Sequence, residues 1–69
     1  MKKRSVNILG HQTSITLEDE FWSALKEIAQ KQGKSINTVV AEIDAKRGQV
    51  NLSSAIRVFI LKTIMSSRA

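Results

Sequence analysis

Polar and apolar residues alternate along two short stretches near the start of the chain. In Gln12-Thr13-Ser14-Ile15-Thr16-Leu17, the residues Thr13, Ile15 and Leu17 fall on one side, and Gln12, Ser14 and Thr16 on the other. This two-residue period is that of a half-buried strand, and Thr and Ile suit a pleated surface. Val6 and Ile8 alternate as well, in the opposite parity. A two-residue turn at Gly10-His11, with glycine at its first central position, would bring Val6 and Ile8 onto the face of Thr13 and Ile15. A kinked or disordered arm accounts for the same residues, so residues 1–10 read as a basic N-terminal arm or an extra strand, ahead of a domain over 11–69.

The period then changes to that of helices. Phe21, Leu25, Ile28 and Ala29 recur at i, i+4, i+7 and i+8, behind a first turn crowded with Glu18, Asp19 and Glu20. Carboxylates there suit the positive end of the helix dipole, and Gly33 stands where a glycine stops a helix. Ser35 is an N-cap residue for a second helix whose apolar positions are Ile36, Val39, Val40 and Ile43, closed by Lys46, Arg47 and Gly48. Asn51 or Ser53 caps a third, running to about Met65, with Leu52, Ile56, Phe59, Ile60 and Thr63 on one face. Val58, Leu61 and Ile64 lie elsewhere on its wheel. A helix apolar over so much of its circumference needs cover on several sides, which points to a dimer core.

Composition narrows the functional classes. The chain has 69 residues, and a domain of that length buries only about 60% of the surface its unfolded form exposes. It has no Cys and a single His, which removes disulfides and thiolate chemistry and makes a metal cage a poor fit, leaving association between chains as the route to stability. Eleven Lys and Arg against six Asp and Glu give a net charge of +5, which favours polyanionic partners. Met1-Lys2-Lys3-Arg4 is followed by Asn7, Gly10, His11 and Gln12 rather than by a signal-peptide apolar region, and the longest apolar run, Val58 to Leu61, is far short of a bilayer span. The expected setting is therefore the cytoplasm, without a membrane partner. No nucleophile elbow or oxyanion motif accompanies the one His, and no cofactor or small-molecule substrate is indicated, so an enzyme is not expected.

The runs Thr13-Ser-Ile-Thr-Leu-Glu-Asp-Glu-Phe-Trp22 and Ile28-Ala-Gln-Lys-Gln-Gly-Lys-Ser-Ile-Asn37 resemble the ribbon-helix-helix family of Arc- and Met-repressor-like DNA-binding domains. The Gly33-Lys34-Ser35 connection with Asn37 is the most telling part, and Asn51-Leu-Ser-Ser-Ala-Ile-Arg57 is similar to a subgroup of short bacterial members. The resemblance implies a mostly α fold with a short β ribbon and, here, an additional C-terminal helix. It also implies an intertwined homodimer in which one strand from each chain pairs antiparallel and enters the major groove of double-stranded DNA, in the manner of a transcriptional regulator.

On that footing Gln12, Ser14 and Thr16 face the bases. Gln can pair bidentately with adenine, and hydroxyls can donate or accept at either kind of base edge. Lys34, Ser35 and Asn37 would hold a phosphate at a helix N-terminus, and Lys2, Lys3 and Arg4 would reach flanking phosphates as an arm. Each also has a plain structural account: a solvated strand face, a helix cap, a solubilising tail. The family often carries a basic residue on the strand's outward face, and residues 12–17 have none there. His11 reads as a turn residue or a base contact, Trp22 as core, and Arg57 as an ion-pair partner of Glu42 or Asp44 across a dimer. The competing function is a dimeric protein-interaction module, adaptor or antitoxin-like, without DNA binding, that uses the apolar third helix.

Overall fold

The structure, a computed structural model, describes residues 2–66; the expected domain limits at residues 1 and 69 lie outside them. Two strands, β1 (Lys2–Ile8) and β2 (His11–Leu17), are followed by three helices, α1 (Asp19–Lys31), α2 (Ile36–Lys46) and α3 (Leu52–Ser66). This is a ribbon-helix-helix arrangement with one more helix.

The residues before Gly10 form a strand rather than a loose arm. β1 pairs antiparallel with β2 in the register Lys2↔Leu17, Arg4↔Ile15, Val6↔Thr13 and Ile8↔His11. The turn therefore lies at Leu9-Gly10, one residue earlier than the sequence pattern places it, and His11 opens β2. Both central residues have positive φ, 52° at Leu9 and 87° at Gly10, as in the type I′ turn whose twist suits a hairpin. The Asn7 side-chain oxygen accepts from the Gly10 N–H at 2.9 Å and closes the turn. Moving the turn by one residue shifts the register by two, so Val6 and Ile8 still share a face with Thr13 and Ile15.

Leu9 occupies its left-handed conformation while 86% exposed, so no packing offsets the strain. Leu9→Asn should therefore stabilise the fold by about 0.5–1 kcal/mol, because Asn tolerates that region and Leu does not. An increased urea midpoint with an unchanged m-value would show it.

The helices follow the sequence pattern closely. α1 ends in a Schellman motif: Lys34 N–H donates to the Ala29 carbonyl at 2.9 Å, Gly33 N–H to that of Gln30 at 3.1 Å, and Gly33 has φ 67°. Ser35 caps α2, its hydroxyl accepting from Thr38 N–H at 3.1 Å. Asn51 rather than Ser53 caps α3, accepting from Ser54 N–H at 3.3 Å.

The inner face of the hairpin and the three helices enclose one core. Val6, Ile15, Leu17, Leu25, Ile28, Ala29, Val39, Val40, Ile43, Ile56 and Ile60 are all buried. α3 contributes Ile56 and Ile60, so its inner side is covered by its own chain and not, as the apolar wheel suggests, by a partner alone. Its outer side carries Val58, Leu61, Ile64 and Met65, each about half exposed.

Candidate nucleic-acid interface

Strand alternation sends Gln12, Ser14 and Thr16 to the side of the ribbon away from the core, where all three are exposed. The hairpin adds three residues from β1 to the same face, in the cross-strand pairs Lys3↔Thr16, Ser5↔Ser14 and Asn7↔Gln12. Two backbone amides show which kind of pairs these are. Asn7 N–H donates to the Asn37 side-chain oxygen at 3.1 Å, and Thr16 N–H to the Ser53 hydroxyl at 3.3 Å. Both point away from the opposite strand, so the three pairs are non-hydrogen-bonded ones, in which facing side chains stand closest, about 4.5 Å between Cα atoms.

The basic triplet expected to act together is divided by the pleat. Lys3 joins the outward face, whereas Lys2 and Arg4 lie on the inner one. Arg4 is not a free arm residue: its guanidinium pairs with Asp19 at 3.1 Å and stacks on Trp22, 4.7 Å from the ring centroid. Ser5 and Asn7 escaped the sequence reading of the site. The signal was present, since both alternate with Val6 and Ile8, but it needed the hairpin to become a face.

The α2 N-terminus lies along the β1 edge of the ribbon, fixed there by the Asn37–Asn7 bond. Ser35 serves as its cap. Lys34 is held by Glu42, with Nζ–O distances of 2.8 and 3.1 Å, so its charge is shared with a carboxylate. On the opposite edge, Arg57 bonds Glu18 at 2.9 Å and the Thr16 carbonyl at 3.3 Å. Within the chain Arg57 thus meets Glu18, while Glu42 is engaged by Lys34 and Asp44 by Arg47 at 2.6 Å.

Glu18 has its carboxyl held below the ordinary glutamate range, first by a hydrogen bond from its own backbone N–H and then by Arg57. A depressed carboxylate contributes stability that is present above its unfolded pKa and lost as pH falls through the folded value. Wild type should therefore lose more stability than Glu18→Gln on acidification below the ordinary glutamate range, as read from urea midpoints across a pH series.

The chain belongs to the ribbon-helix-helix domain family, whose model matches residues 1–64. Proteins of this family are typically DNA-binding transcriptional regulators, generally bind DNA as dimers, and have a fold that is not an enzyme's. No curated protein and no solved structure matches the chain. Among the described residues no helix is long and apolar enough to cross a membrane, and no group of three or more His, Asp or Glu is placed to hold a metal ion.

Proposed function

We propose that this protein is a sequence-specific, double-stranded-DNA-binding homodimer of the cytoplasm that regulates transcription, with the polar face of its β ribbon in the major groove. The observation that carries this reading is the exposed row Gln12, Ser14 and Thr16 on a paired ribbon, backed by a closed core and set in a chain of charge +5. A two-stranded ribbon fits a groove about 12 Å wide. With the ribbon seated, the phosphate backbone runs along its margins, where the capped start of α2 presents Lys34, Ser35 and Asn37. Backbone N–H groups at such a terminus suit a phosphate, with Lys34 exchanging Glu42 for the DNA.

The resemblance implies a ribbon made between two chains; here both strands come from one. In this reading the dimer joins two folded chains through apolar surface left on α3.

Titration with duplex DNA over a range of salt tests the reading. Lys34→Ala should weaken all sequences about equally and reduce the slope of log K against log salt by about 0.9 if one phosphate contact is lost. A dimer that binds no duplex even at low salt would instead favour the adaptor or antitoxin-like reading, which the half-exposed Val58, Leu61, Ile64 and Met65 on α3 support.

A further inference from the structure

We propose that the groove between α2 and α3 is a docking site for an acidic amphipathic helix of a partner protein. The inference stands apart from the DNA-binding reading. No residue of β1, β2 or the first turn of α2 lines the groove, so a partner and a duplex have separate surfaces.

The groove has a volume of about 410 Å³. Its apolar lining is Ile43 on α2, Val50 in the connection, and Ala55, Val58 and Phe59 on α3. Ile43 belongs to the core, whereas Val50 and Val58 stay about half exposed, so the lining is anchored in the core but open to water at its margins. Covering such a surface is favourable, and an apolar patch with a polar rim is the mark of an interaction site. Charge selects the occupant. Lys46 and Lys62 stand on the rim, and none of the four ion pairs among the described residues involves either. The other two charged residues of the lining are engaged within the chain, Glu42 with Lys34 at 2.8 Å and Arg47 with Asp44 at 2.6 Å. The charge left for a partner is therefore positive, which complements carboxylates flanking an apolar stripe. Backbone chemistry selects its conformation. No strand of the sheet lines the groove, and Val50 in its wall spends both its backbone groups on Arg47: its N–H donates to the Arg47 carbonyl at 3.1 Å, and its carbonyl accepts from Arg47 Nη1 at 2.7 Å. An occupant must satisfy its own backbone, as a helix does, and lay only side chains into the groove. Leu61, Ile64 and Met65 lie outside the groove, which leaves that flank of α3 for contact between copies.

The probe is a synthetic helix with Leu along one face and Glu on the other, compared by titration with a twin that carries Lys in place of Glu. The Glu helix should bind saturably, one site per chain, and the Lys helix should not bind. Val50→Asp should weaken the Glu helix about tenfold, with the thermal midpoint and the solution mass of the protein unchanged. Lys46→Glu combined with Lys62→Glu should reverse the preference, making the Lys helix the tighter ligand. Lys26→Glu combined with Lys31→Glu makes the same change of charge at exposed positions of α1 outside the groove, and should leave the preference as in wild type. A Glu helix that fails to bind would overturn the proposal. So would one weakened equally by the two charge-reversed pairs, since that is diffuse attraction to a basic protein. A Val50→Asp protein that passes from dimer to monomer would overturn it as well, by showing that a second copy fills the groove.

Discussion

Ile56→Ala should remove a large share of the protein's folding stability. Ile56 is fully buried, on the inner side of α3. Truncating such a side chain removes its transfer free energy and leaves a cavity, at a cost of about 2–5 kcal/mol. A domain of this size has only roughly 3–10 kcal/mol of stability in total. The comparison is Leu61→Ala, five residues further on and 55% exposed, which should cost less than about 1 kcal/mol in a dilute sample. Urea unfolding of both variants at several protein concentrations checks this. If the Leu61 change proves costly and its effect grows with protein concentration, the outer side of α3 is the surface on which copies meet.

The second large effect concerns recognition. Gln12→Ala should relax the choice of base at one position in each half-site, costing about tenfold or more in discrimination, as expected for a lost bidentate contact to adenine. Gln12 is exposed and packs against no core residue, so the thermal midpoint should not move. Affinities on a set of operator variants, read beside a melting curve, separate the two quantities. A variant with unchanged sequence preference would refute the base-reading role of Gln12.

Much of this architecture is legible in the sequence because single periods dominate its segments. The stripe at Leu25, Ile28 and Ala29 and that at Val39, Val40 and Ile43 each mark a helix face that proves buried, and Gly33 and Ser35 punctuate between them as caps do. β2 is equally plain, since Ile15 and Leu17 face in and Gln12, Ser14 and Thr16 face out. The turn was harder. Leu9 is an unfavourable residue at positive φ, so glycine at position 10 drew the turn onto Gly10-His11, although hairpin twist and the Asn7 cap select Leu9-Gly10. The side-chain partners of Arg4, Lys34 and Arg57 were not legible at all. Arg57 meets Glu18 across 39 positions of sequence, a proximity created by tertiary packing and not by any local pattern. For the same reason only half of the polar outward face is legible: β1 becomes part of it through pairing, and pairing is not a property of either strand alone.

Both margins of the two-stranded sheet are tied to helices, by Asn37 on β1 and by Ser53 and Arg57 on β2. Such a sheet meets its ligand as a preformed die. The backbone entropy of arranging those six positions has been spent during folding, and what remains to be lost on association is the rotamer freedom of their side chains. Complex formation should accordingly resemble the docking of two rigid bodies, with a small heat-capacity change and rapid on-rates governed by charge and ionic strength rather than by a slow ordering step.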